Sequence, residues 1–144
     1  MNTIQNYSNH VRWYPLVHFV IFPILILNFF YQAFRLYQEP SLDHSVWVVL
    51  SVAFILITLS ARVQALKAQD RTIRLEERLR YKEVLSPELA DKAVNMPTGR
   101  IIALRFASDG DLAGLVSQVL DGKLNNSKEI KLAIKNWRGD YHRV

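Results

Sequence analysis

The chain has no cysteine among its 144 residues, which excludes thiolate catalysis, disulfide scaffolds and cysteine-ligated zinc or iron–sulfur sites. Charge is nearly missing from its first part: residues 1–61 hold only Arg12, Arg35, Glu39 and Asp43. The other 16 basic and 11 acidic groups lie in residues 62–144 and account for the whole formal net charge of +5. A mean hydropathy close to zero is therefore the average of an apolar half and a charged half, and one uniform globular domain is excluded. Catalytic signatures are lacking too. There is no P-loop, G-x-G-x-x-G, H-E-x-x-H or G-x-S-x-G, and His10, His18, His44 and His142 show no metal-ligand spacing. No catalytic, cofactor-binding or metal-binding residue is expected, and no cofactor.

What is present is apolar length. Residues 13–34 run for 22 positions without Asp, Glu, Lys or Arg, which as a helix is about 33 Å, enough for a hydrocarbon layer of about 30 Å. Residues 45–61 give a second uncharged run of 17, about 25 Å long, which His44 and Arg62 lengthen by snorkelling. Between them, residues 35–44 carry a Pro-Ser turn signal and reverse the chain. A cleaved signal peptide fits poorly, since no Lys or Arg precedes Arg12, the apolar run is too long, and no A-x-A site follows. Trp13 and Tyr14 at one end of the first span, and Tyr31, Tyr37 and Trp47 at the other, are placed as interfacial aromatics. Pro15 fits a first turn, and Pro23 is expected to kink the helix.

Polar groups inside a span need partners. Asn28 and Gln32 are one helical turn apart, and in an antiparallel pair with Phe34 level with Ser45, positions summing to 79 share a depth, which sets Asn28 opposite Ser51. Asn28, Gln32 and Ser51 are thus the expected intramembrane polar contact. Arg35 is the sole basic residue of the connecting loop, whereas residues 62–82 hold Arg62, Lys67, Arg71, Arg74, Arg78, Arg80 and Lys82. The positive-inside rule then places both termini in the cytoplasm.

Past residue 61 the helix is expected to continue, because no proline or glycine interrupts residues 44–85. Asp70 with Arg74 and Glu76 with Arg80 are acid-before-base pairs at i, i+4. Leu59, Val63, Leu66 and Ile73 fit one heptad seam, but Asp70, Glu77 and Arg80 fall on its continuation, so any coiled coil in that register is short. Arg62 and Lys67 lie where anionic headgroups would attract them. Four short helices follow: one opened by Ser86-Pro87, one over residues 100–107, one behind the S-x-x-D box of Ser108 and Asp111 and stopped by Gly122, and one capped by Ser127 that runs to Trp137. Residues 100–107 are read as helix because no second strand is available to pair with them.

The expected fold is an all-α membrane protein: a two-helix transmembrane hairpin whose second span continues into a long cytoplasmic helix, followed by a small module of short helices. Its parts are an N-terminal cytoplasmic segment (1–12), transmembrane helix 1 (13–34), an extracytoplasmic loop (35–44), transmembrane helix 2 (45–61), a cytoplasmic helix extension (62–85) and the cytoplasmic module (86–144). Four stretches support a resemblance: QNYSNHVRWYPLVHF (5–19), ARVQALKAQDRTIRLEERLR (61–80), IALRFASDGDL (102–112) and KEIKLAIKNWRGDYHRV (128–144). On these the chain resembles an uncharacterised bacterial family of small two-span membrane proteins, carried as a domain of unknown function. The resemblance implies no activity and no site residue.

The function expected from the sequence is that of a protein anchored in the bacterial inner (cytoplasmic) membrane that presents a helical surface to a protein partner or to further copies of itself. Arg71, Arg74, Glu77 and Arg78 on the long helix, and Arg105, Asp109 and Trp137 on the module, are its candidate partner surface. Two other classes remain in view. Asn28, Gln32, Ser51 and Thr58 suggest a homo-oligomeric channel or transporter built from hairpins, although ionisable groups are scarce in the spans. The stripe of Lys128, Lys131 and Lys135 with Arg138 suggests a membrane-tethered DNA-binding regulator, but residues 86–144 carry only 9 basic against 7 acidic groups, a field too weak to favour nucleic acid.

Overall fold

The computed structural model describes residues 5–9 and 13–140. The rest, including His10, Arg12, His142 and the ends of the expected N-terminal segment and module, lie outside the described residues. All regular structure among the described residues is helical, with one isolated bridge and no strand. The chain divides into two compact units, residues 12–66 and residues 1–11 with 67–144.

In the unit of residues 12–66, a π-helical segment, Leu16–Ile21, leads into helix α1, Phe22–Gln38. Pro23 explains the change of pitch. Its ring has no N–H and crowds the carbonyl four residues back, which disfavours an unbroken α-helical ladder there. The chain instead widens, and the Phe22 N–H donates to Val17 O, five residues back. Helix α2, Leu42–Val84, is 43 residues long and contributes to both units. The non-helical connection is residues 39–41, shorter than the ten-residue stretch expected to reverse the chain, since α1 runs through Gln38 and α2 opens at Leu42. His44 helps to tighten this connection: its Nδ1 lies 2.8 Å from Glu39 O and its Nε2 lies 3.2 Å from Arg35 Nη2. Leu16–Gln38 and α2 are both long and apolar enough to cross a membrane. Their apolar side chains are outward: Phe19 is 67% exposed, Leu27 69%, Val49 67% and Ile57 63%.

The second unit has a conventional core. Helices α3 (Pro87–Ala93), α4 (Thr98–Leu104), α5 (Asp109–Leu120) and α6 (Ser127–Ala133) pack with the last turns of α2 around Tyr81, Ile101, Leu104, Phe106, Leu112, Val116, Val119 and Ile130. Each helix has a local reason to start. Pro87 occupies the first turn of α3, where its missing N–H costs nothing, and Ser108 Oγ accepts the Asp111 N–H at the head of α5. Helix α6 is capped by Asn126, not by Ser127 as the sequence suggested. Asn126 Oδ1 accepts the N–H groups of Lys128 and Glu129, and the Glu129 carboxylate accepts in return from Asn126 Nδ2 and from the Asn125 N–H. Ser127 is used elsewhere, donating to Gly99 O at 2.9 Å.

Two more expectations are corrected here. The second short helix spans Thr98–Leu104, not residues 100–107, and α6 ends at Ala133, well short of Trp137. The residues released from both helices pair with one another. Arg138 N donates to Phe106 O at 2.7 Å, Ser108 N donates to Asn136 O at 3.0 Å, and Ala107 bridges Trp137 in antiparallel fashion. Backbone groups left by two short helices near a buried Phe106 need partners, and each segment supplies the other's.

Candidate functional site

Two polar constellations stand out against the apolar background. In the unit of residues 12–66, Asn28 Nδ2 donates to Ser51 Oγ at 2.8 Å, and Ser51 Oγ donates to Trp47 O at the same distance. Gln32 Nε2 reaches Asn28 Oδ1 at 3.5 Å, and Thr58 Oγ1 bonds Phe54 O within its own helix. The structure thus brings Asn28, Gln32 and Ser51 together, with Ser51 only 1% exposed.

The larger constellation lies in the second unit, where the end of α2 meets residues 105–109 and 137–140. Arg80 is its hub. Its Nε donates to Asp109 Oδ1 at 2.8 Å, its Nη1 to Glu77 Oε2 at 3.1 Å, and its Nη2 to Ala107 O at 2.7 Å. Arg138 approaches the other oxygen of Glu77 at 3.6 Å. Arg105 lies behind these groups, its Nε 3.0 Å from Asp140 Oδ2 and its guanidinium 4.4 Å from the Phe106 ring centre. Asp140 N donates to Gln5 Oε1, which ties Gln5 to the same place. Trp137 stacks on Phe106, with ring centres 5.1 Å apart.

An open cleft of about 380 Å³ lies among Ile73, Glu76, Glu77, Arg80, Arg105, Arg138, Gly139 and Asp140. Among its lining groups, the Glu77 carboxyl is raised above the ordinary range. Burial is the main cause and outweighs the opposing pull of Arg80 and Arg138. Beneath it, burial and the Glu77 charge push the Tyr81 hydroxyl well above its usual range. That hydroxyl has no hydrogen-bond partner among the described residues. Those residues also contain no cluster of three or more His, Asp or Glu that would hold a metal ion. Chemically, the arrangement is a set of ion pairs that fastens helix α2 to the segments around Phe106.

The seven candidate surface residues are placed very differently from one another. Arg71 is exposed, and Arg74 is half-buried with its Nε enclosed. Arg78 donates through Nε and Nη2 to Val94 O. Glu77 and Arg105 are buried at 4% and 7% exposure, which corrects their assignment to a partner surface: both belong to the internal ion pairs. Asp109 is exposed but is held by Arg80, and Trp137 is half-buried on Phe106. The sequence reading missed Arg80 as a hub, pairing it with Glu76, and it missed Asp140 and Tyr81. A signal for the first did exist, because Glu77 and Arg80 continue the apolar seam that ends at Ile73, and a charge on a buried seam requires a partner.

The chain matches the family model described as a family of unknown function (DUF6526) over residues 1–144, and it belongs to that family. No curated protein and no solved structure matches it.

Proposed function

We propose that the protein is a membrane-anchored interaction protein. A two-helix transmembrane hairpin fixes it in the bacterial inner membrane, and the end of α2 with the helical module offers a surface to a protein partner or to a second copy. One observation carries the reading. The unit of residues 12–66 is inverted relative to a water-soluble fold: Phe19, Leu27, Val49 and Ile57 are outward, while Asn28 and Ser51 satisfy each other between the helices. That distribution suits a hydrocarbon solvent, where apolar groups need no cover and polar groups do.

The surplus of Lys and Arg in residues 62–82 over the single Arg35 supports both termini in the cytoplasm. In the cleft of the second unit Glu77, Arg80, Arg105, Arg138 and Asp140 are engaged in ion pairs, which favours a scaffold over a site of turnover. The spans favour an anchor over a channel, because Asn28, Ser51 and Thr58 are each bonded within the helix pair.

The test has two arms. After alkaline carbonate washing of bacterial membranes, the full chain is expected in the pellet, and in spheroplasts a C-terminal tag is expected to resist external protease. Release by carbonate overturns the anchor, and cleavage of the tag overturns the orientation. In mild detergent the tagged chain is expected to elute in a stoichiometric complex, with a partner or with itself. A monomer alone overturns the interaction role.

A further inference from the structure

We infer that α2 carries a dimerisation seam for a second copy of this chain, formed as a short parallel coiled coil over residues 68–83, apolar at Ala68, Leu75 and Leu79 and closed by Lys82 at the next d position. The module covers one side of α2, through Ile73, Glu77, Arg80 and Tyr81. Among the described residues nothing covers the opposite side. Ala68, Thr72, Leu75 and Leu79 are all exposed there, with Leu75 at 61% and Leu79 at 57%. Their spacing is four, three and four residues, the alternation of a and d positions in a heptad. This register differs from the one through Leu59, Val63, Leu66 and Ile73, whose continuation lies under the module.

Charge identifies the occupant. With Thr72 and Leu79 at a and Ala68 and Leu75 at d, the flanking g positions are Arg71 and Arg78, and the flanking e positions after them are Glu76 and Glu83. In a parallel pair each g residue meets the e residue five positions on in the other helix. Arg71 therefore meets Glu76 of the second copy and Arg78 meets its Glu83, and two-fold symmetry makes every pair occur twice. An antiparallel pair would set arginine beside arginine and glutamate beside glutamate. Arg71, Glu76 and Glu83 are exposed; the Nε and Nη2 of Arg78 hold Val94 O, so its pair with the second copy falls to Nη1. The seam rests on the membrane reading in one respect: two copies inserted in one bilayer with one topology necessarily have parallel α2 helices.

The natural absence of cysteine makes disulfide trapping of the full chain in its own membranes a clean test. Leu75→Cys and Leu79→Cys are expected to give a dimer band on mild oxidation, whereas Lys67→Cys, at an outer c position, and Asp91→Cys, on α3, are expected to stay monomeric. No band at 75 and 79, or equal bands at all four positions, overturns the seam. Adding Arg71→Glu to Leu75→Cys is expected to lower the trapped fraction roughly tenfold, because two attractive pairs become repulsive. Adding Glu76→Arg to that chain is expected to restore it, and failure to restore overturns the charge register. Carbonate washing of the same membranes separates the two readings. A pelleted chain without trapping overturns the seam alone, and a released chain still trapped at 75 and 79 supports the seam and overturns the anchor alone.

Discussion

A guanidinium has three nitrogens, and at Arg80 each already has an oxygen partner: Asp109 at Nε, Glu77 at Nη1 and Ala107 O at Nη2. Removing the side chain would leave the Glu77 carboxylate buried with only the half-exposed Arg138 at 3.6 Å. Arg80→Ala is therefore expected to cost about 3 kcal/mol, the usual consequence of orphaning one member of a buried pair, read from the urea midpoint of the charged unit. Glu77 has the opposite sensitivity to pH from most paired carboxylates. Its folded pKa lies above the ordinary 4.5, chiefly through desolvation, so between the two values the native state binds more protons than the unfolded chain. Stability from this group falls as pH rises through that window. Glu77→Gln should match the parent below about pH 4.5 and gain on it as pH increases, a trend visible in paired thermal melts. Equal pH slopes for the two proteins would contradict the assignment. The enclosed Tyr81 hydroxyl makes a third case. It is buried without a partner among the described residues, so Tyr81→Phe should leave stability unchanged or raise it by about 1 kcal/mol in the same urea titration.

Helix ends were the best-marked features of the sequence. Ser86-Pro87, the Ser108 and Asp111 box, and Gly122 all sit where the chain starts or stops a helix, because capping is chemistry between residues two to four apart. At Gly122 the φ of +75° closes α5, with Lys123 N donating to Gln118 O and Gly122 N to Val119 O. One substitution should thus act oppositely at two glycines. Gly122→Ala is expected to destabilise by about 1 kcal/mol, since a side chain disfavours positive φ. Gly114→Ala, inside α5 with nothing within 4 Å of the new methyl, is expected to stabilise by about 1 kcal/mol. Equal signs in chemical denaturation would contradict this account. What the sequence did not make legible is the pairing of Ala107 with Trp137, about thirty positions apart, and the use of Asn126 instead of its neighbour Ser127 as a cap. Two adjacent cap formers compete, and only the contact of Ser127 with Gly99 O decides between them. Internal ion pairs were equally hidden: Arg80 has an acid four residues back at Glu76, but a distant Asp109 and the adjacent-turn Glu77 hold it.

At the scale of the molecule, the two units draw stability from different sources. Residues 67–140 bury Ile101, Leu104, Phe106, Leu112 and Ile130 almost completely, so their cohesion comes from withdrawing apolar surface from water. Residues 13–66 leave their large side chains outward and rely, on the reading proposed above, on lipid or detergent. Urea weakens the first source and barely touches helices held in a micelle. Full-length protein in mild detergent should therefore unfold in two steps. Early loss of near-ultraviolet signal from Tyr81 and Trp137 should come with partial loss of helicity, leaving a residual helical signal at high urea. A single transition for all helicity would mean that one cooperative unit spans the chain.

The π-helical segment Leu16–Ile21 also predicts where the chain tolerates a change of length. A helix that already closes its hydrogen bonds five residues back holds one residue more than the α register needs. Deleting one residue there takes up that surplus and alters only what precedes Pro23, while Asn28 still faces Ser51. The same deletion between Asn28 and the connection at 39–41 would rotate Asn28 by about 100° away from its partner. Among natural length variants of this family, single-residue gaps should fall within residues 16–21 and avoid residues 29–38.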